Sequence, residues 1–261
     1  NKDMSLIKTQ EEIQIMREGG KILASALQKA VDAIKPGVLM SEIDQIAEQA
    51  LLDEGAKPSF KGYGDDIPFP STLCISANDE IVHGCGDRDI ELKEGDIVGL
   101  DIGCWYKGLC TDMAVTVPVG SISDERKALL RTTRLALERA VEACKEGDVI
   151  QDIAKAVEEV VEGTDYGIVQ SLTGHGVGHA VHEKPSIPNF TSGDFPIVKI
   201  KQGMCLALEP MLTAGDYKIK TDDDGWSIRT QDESDAAHFE VTVVVTEDGP
   251  EIITPQPKIN I

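Results

Sequence analysis

The sequence is short of positive charge, of paired cysteines and of long apolar runs, and each shortage removes a class of function. Its 261 residues carry 25 Lys and Arg against 46 Asp and Glu, a net charge of −21. A primary nucleic-acid binder needs basic side chains to displace phosphate counterions, so no direct nucleic-acid binding is expected. No stretch approaches the roughly 18 apolar residues of a membrane span, and the N-terminus has no apolar core of the kind that directs secretion. A cytoplasmic protein without a membrane partner is expected. The six cysteines, at 74, 85, 104, 110, 144 and 205, form no CxxC pair and no dense framework. Most lie in apolar surroundings, which predicts buried, reduced thiols. What the chain does have is 41% hydrophobic residues, ample for a core. Asn1-Lys2-Asp3 fits a vector-derived leader before Met4-Ser5, and residues 1–5 are expected to form a tail.

Periodicity and a repeat organise the rest. Apolar positions Ile13, Met16, Gly20, Leu23, Leu27, Val31 and Ile34 recur every three or four residues, which predicts an amphipathic helix ended by Pro36-Gly37. Ser41 is the expected N-cap of a second helix running to about Asp53. Another pair is expected from Ser123 to Lys145 and from about Asp148 to Glu162. The pairs are related: KPGVLMSEIDQIAE from Lys35 aligns with KEGDVIQDIAKAVE from Lys145. Chance likeness of two amphipathic helices could produce that alignment alone. A second match, KEGDIVGLD ending at Asp101 with KQGMCLALE ending at Glu209, falls at almost the same offset and argues against chance. Each half therefore reads helix, helix, then an apolar strand ending in a carboxylate. The expected architecture is α+β, a single domain of two pseudo-symmetric halves (about residues 7–120 and 121–250) on one curved antiparallel sheet, with the helices outside. The matched carboxylates then face each other across the seam. The Asp-, Gly- and Lys-rich stretch from Ala214 to Asp235 lacks any apolar period and predicts a solvent-exposed hairpin or loop.

Carboxylates placed among apolar strands carry the chemistry. Asp101 ends the run Ile97-Val98-Gly99-Leu100, and Asp112 begins an alternating stretch from Met113 to Val119. In a regular hairpin centred near Tyr106 and Lys107 the two aspartates are directly opposite, and like charges so placed need a shared proton or a cation between them. Gly174-His175-Gly176-Val177-Gly178-His179-Ala180-Val181-His182-Glu183 holds three of the five histidines. Glycines on both sides of His175 permit close backbone approach to a ligand, whereas an incidental Gly-rich loop would not require them there. His179 is expected to be structural or exposed. Glu209 follows Leu206-Ala207-Leu208, and Glu240 leads into the β-branched run Val241 to Val245. An arginine could satisfy either buried carboxylate, but with acids outnumbering bases a metal is the better partner. Four carboxylates and one imidazole suit two cations, about 3.5–4 Å apart, sharing an activated water.

In order, Asp101, Asp112, His175, Glu209 and Glu240 resemble the metal-binding pattern of the pita-bread metallopeptidases, and the resemblance spans about Ile7 to Thr246. His83 before Asp101, the GHGVGHAVHE stretch and Leu208-Glu209-Pro210-Met211 are most similar to the type I methionine aminopeptidases within that superfamily. The resemblance implies removal of the initiator methionine when the second residue is small, by attack of a hydroxide bridging two divalent ions. It assigns Asp101 and Asp112 to one ion and His175 and Glu209 to the other, with Asp112 and Glu240 bridging. Cobalt, manganese, iron or zinc would serve. Glu209 would manage the proton of the water, His182 would bond the substrate carbonyl, and His83 would contact the scissile nitrogen. Tyr63, Phe69, Cys74 and Trp226 match the methionine pocket, where an unbranched thioether favours aromatic and sulfur contacts. Nascent polypeptide N-termini are the implied partners, with transient ribosome proximity and a monomeric state. Some positions depart from the pattern: Asp65-Asp66-Ile67-Pro68 is inserted before Phe69, Val181 stands where an aromatic residue is common, His238 replaces a frequent Gln and Val241 a common His. The alternatives are an aminopeptidase of the same superfamily that cleaves before proline, and a binding protein that keeps the fold without catalysis.

Overall fold

The structure is a computed structural model and describes residues 6–261, so the expected tail at 1–5 lies outside the described residues. A reciprocal capping box between Thr9 and Glu12 starts α1 (Gln10–Asp32), whose buried stripe runs through Ile13, Met16, Gly20, Leu23 and Leu27. Gly20 is required by packing, because a Cβ there would collide with the carbonyl of Ile253. After α2 (Met40–Asp53) come β1 (Lys57–Pro58), β2 (Leu73–Ala77), β3 (Glu80–Val82), β4 (Ile97–Tyr106) and β5 (Leu109–Pro118). The second half opens with α3 (Asp124–Glu142) and α4 (Ile150–Val161), followed by β6 (Gly167–Ile168), β7 (Gly174–Gly176) and β8 (Glu183–Ile187). It ends with β9 (Cys205–Leu208), β10 (Met211–Thr213), β11 (Ile219–Thr221), β12 (Ile228–Thr230), β13 (Ala236–His238), β14 (Val241–Thr246) and β15 (Gly249–Ile252). Among the described residues no helix is long and apolar enough to cross a membrane.

The repeat read from the sequence extends to single hydrogen bonds. Gly37 and Gly147 both adopt φ of +91°, and their N–H groups donate to Leu92 and Ile200. Leu39 then bridges to Glu91 as Val149 bridges to Lys199, which fixes where each following helix begins. Ser41 is therefore not the N-cap of α2. Leu39 takes that place, its N–H donating to Glu42 as Val149 donates to Asp152, while Ser41 sits in the first turn and bonds Asp89.

All strand pairings are antiparallel, in two principal sheets rather than one uninterrupted ladder. β4 pairs with β5 on one side and with β2 and β1 on the other, and the second sheet runs β15-β14-β9-β7-β8. The sheets are stitched at the seam by Glu240 N–H to Ala114 O (2.9 Å) and Ala114 N–H to Glu240 O (3.2 Å). Beside that stitch, Asp112 N–H donates to Thr242 Oγ1, which donates in turn to Asp112 O. On the other side His238 and Thr116 make the same reciprocal pair. Exchanging the halves thus carries Thr116 onto Thr242 and Asp112 onto His238. One large core, filled by the inner faces of the helices and by both sheets, lies beneath this seam.

Several expectations about the strands change. The β4–β5 turn is Lys107-Gly108, both with positive φ, as a tight two-residue turn requires. That moves the register: Asp101 faces Ala114 and Asp112 faces Gly103, so the aspartates are diagonal neighbours on one face, not directly opposite. β4 also continues past Asp101, so only β9 stops beside its carboxylate. β5 shows no alternation; it is buried on both faces because α1 packs against it and β14 adjoins it. The Ala214–Asp235 stretch is a hairpin, β11–β12, but β12 pairs with β3 and buries Ser227, Ile228 and Thr230, so it is only partly solvent-exposed.

Candidate metal centre

Central strands and the loops beside them bring all five expected ligands together. Asp101 and Asp112 come from the β4–β5 hairpin, His175 from β7, Glu209 from the end of β9, and Glu240 from the link between β13 and β14. His175 Nδ1 lies 2.9 Å from the Gly176 carbonyl, leaving Nε2 pointing inward, 3.3 Å from Glu209 Oε1 and 3.9 Å from Asp112 Oδ2. Two groups of ligand atoms lie within 4.8 Å of one another: Asp112 with His175 and Glu240, and Asp101 with His238 and Glu240. His238 was visible in the sequence only as a departure from the resembled pattern. Its place in the centre depends on the β13 pairing, which no local signal announces.

The electrostatics call for a cation. Burial pushes Asp101 and Glu209 up to about 7, and holds Asp112 and Glu240 well above the carboxylate range, where neighbouring carboxylates push them further. Asp101 Oδ1, Asp112 Oδ1, Glu240 Oε1 and His238 Nε2 are buried without a hydrogen-bond partner among the described residues. Unpaired buried acceptors in such numbers are rare in native proteins unless something else satisfies them. Oxygen donors with imidazole nitrogen are a donor set that divalent metals take, so the residues present fit the expected group.

The other predicted residues surround this cluster. A cavity of about 90 Å³ is walled by Phe60, Tyr63, Phe69, Cys74, Val181 and Trp226 and floored by the carboxylates. Phe69 meets Trp226 edge-on at 5.2 Å between ring centres. Phe60 completes this wall and was not anticipated. Tyr63 Oη is 3.0 Å from His182 Nδ1, and the His182 ring stands edge-on to His175 at 4.5 Å. The inserted residues 65–68 loop outward, because Phe69 N–H still bonds Tyr63 O and Gly62 N–H bonds Phe69 O. His83 is held at φ +60°, and burial pulls its imidazole down to about 4. A second, wider recess shares His83, Asp101, His175, His182 and Glu209 and continues past Ser171, Thr173, Lys184 and Ser186. His179 lies apart from the centre, paired with Glu12 at 2.7 Å. Glu183 accepts N–H groups of His179 and Ala180 and pairs with buried Lys8, a latch on the His175–His182 loop that joins residues far apart in sequence. All six cysteines are buried and free, as expected.

A curved, two-halved antiparallel fold with a carboxylate and imidazole centre at its seam defines a class of metal-dependent peptidase, and the sequence agrees. The pattern of metallopeptidase family M24 matches residues 14–247, and the chain belongs to that family. It is 41% identical over 253 residues to the methionine aminopeptidase of Clostridium perfringens, covering 96% of this chain and 99% of that one. The crystal structure of methionine aminopeptidase from Thermotoga maritima superposes with a TM-score of 0.91 at 39% identity, covering 96% of this chain and 99% of the other. A prolidase from Pyrococcus furiosus is more distant, with a TM-score of 0.78 and 26% identity; the match covers 98% of this chain but 67% of that one.

Proposed function

We propose that this protein is a dinuclear metalloaminopeptidase that removes the initiator methionine from new polypeptides whose second residue is small. One observation carries the reading: the carboxylate cluster stands where a narrow, mostly apolar cavity adjoins a wider recess of mixed polar and apolar lining. A peptide fits that junction with its first side chain in the cavity and the remaining chain along the recess, which sets its first peptide bond over the cluster. Phe69, Trp226, Tyr63 and Cys74 suit an unbranched thioether better than a polar or charged side chain. Asp101 and Asp112 would hold one ion and His175 and Glu209 the other, with Asp112 and Glu240 shared. Such ions, whether cobalt, manganese, iron or zinc, would supply Lewis-acid charge to polarise the scissile carbonyl and ease deprotonation of water.

The protein's own groups do the rest. Glu209, half-buried beside His175 Nε2, takes the proton from the attacking water and returns it to the departing amine. A Tyr63 hydroxyl that donates to His182 Nδ1 leaves the imidazole proton on Nε2, as a donor to the substrate carbonyl. His83, on the rim common to cavity and recess, orients the scissile nitrogen. The substrates are nascent chain N-termini, met by a cytoplasmic monomer during transient encounters with the ribosome. Release of free methionine from Met-Ala-Ser, compared with cleavage of Ala-Pro peptides, tests the assignment. Preference for the proline substrate would sink it.

A further inference from the structure

Among the described residues, one buried nitrogen beside the centre has no bonding partner and no role in the mechanism above. His238 Nε2 lies 3.5 Å from Glu209 Oε2 and 3.8 Å from Glu240 Oε2, too far for hydrogen bonds. Both distances match the separation of His175 Nε2 from Glu209 and Asp112, 3.3 and 3.9 Å. Donor atoms about 2.1 Å from one ion stand roughly 3–4 Å apart, so the 3.8 Å to Glu240 is a co-ligand spacing, and ligand atoms of Asp101, His238 and Glu240 all lie within 4.8 Å of one another. Symmetry points the same way. His238 is the counterpart of Asp112 when the halves are exchanged, and each is pinned by a reciprocal bond to a threonine of the opposite half.

We propose that His238 is a sixth ligand of the metal centre, binding through Nε2 the ion held by Asp101 and Glu240. The centre then gives each ion one imidazole, His175 on one side and His238 on the other. Without His238, the Asp101 ion would have only oxygen donors from the protein, which favours hard cations such as manganese; an imidazole shifts that position toward cobalt, iron or zinc. The inference rests on the dinuclear reading of the site but not on the identity of the substrate.

Chelated protein titrated with cobalt(II), and separately with manganese(II), tests it by calorimetry and visible absorption. In His238→Gln, one of two cobalt equivalents should bind at least about tenfold more weakly with an altered absorption band, while manganese affinity moves less than about threefold. Equal weakening of both metals would mean that His238 only supports other ligands, and no change in either would remove it from the centre; each result overturns the proposal. The unaltered protein offers an independent measurement that does not depend on the variant folding. With 15N-labelled histidine and two equivalents of cadmium-113, two imidazoles should show one-bond coupling to the metal, and coupling at His175 alone would overturn the inference. Two coupled histidines in a protein that releases no methionine would uphold this inference while refuting the proposed activity.

Discussion

Removing the metal should leave a protein that grows more stable as the pH is lowered from 8 to 6.5, an unusual trend with a definite cause. Asp101 and Glu209 are pushed up to about 7 by burial, and Asp112 and Glu240 stand well above the carboxylate range. In the unfolded chain all four are ionised at these pH values. A carboxylate with a raised folded-state pKa contributes stability that is present at low pH and lost as pH rises toward the folded value. Across 1.5 pH units, each proton held only by the folded state is worth about 2 kcal/mol. One to two such protons give about 2–4 kcal/mol, or a rise in Tm on the order of 5–10 °C for a domain of this size. Below pH 6.5 the trend should turn over. Burial pulls His83, His175, His182 and His238 below the usual imidazole range, so acid must charge them at a cost to the fold. With metal bound, the ionised carboxylates are compensated and no rise is expected. Thermal melts of chelated and metal-loaded protein at pH 8, 7.25 and 6.5 make the comparison. A chelated protein whose Tm is flat or falls over that range, or a loaded protein that rises equally, would refute the crowding argument.

Other perturbations separate the roles of single residues. His83→Ala should lower kcat by about 10²–10⁴-fold with metal content unchanged by elemental analysis; loss of bound metal would move His83 from substrate contact to metal support. Asp44, buried outside the site and accepting Leu73 N–H at 2.7 Å, is pushed up to about 6 by desolvation. Its stabilising contribution is present below about pH 4 and lost as pH rises to 6, so Asp44→Asn should gain up to about 3 kcal/mol on the wild type between pH 4 and 7.5. Urea denaturation of the metal-loaded proteins at pH 5 and 7.5 reads this, and an equal difference at both pH values would contradict it.

Local chemistry made much of this protein legible. Gly37 and Gly147 marked equivalent turns because each needs a positive φ, and their neighbours turn out to make equivalent hydrogen bonds. Asp101, Asp112, Glu209 and Glu240 stood out because charged residues in apolar strands need a partner. The hairpin turn lies one position further along than expected, which shifts the strand register by two residues, because the Lys107-Gly108 turn depends on positive φ at Lys107, which lysine does not advertise. Pairings between distant segments were the least legible. Phe60 in the pocket wall, the Lys8–Glu183 latch and the inward placement of His238 all arise from such contacts. Trp226 was named only through the resemblance, and the β12–β3 pairing explains how it reaches the cavity.

The central claim is methionine release that depends on metal held by Asp101, Asp112, His175, Glu209 and Glu240. The direct measurement is free methionine from Met-Ala-Ser after chelation and again after stepwise re-metallation, in the wild type and in Asp112→Ala and Glu240→Ala. Release should vanish on chelation, return with added cobalt or manganese in the wild type, and fail to return in either variant. Undiminished release from the chelated protein, or full recovery in both variants, would contradict the account.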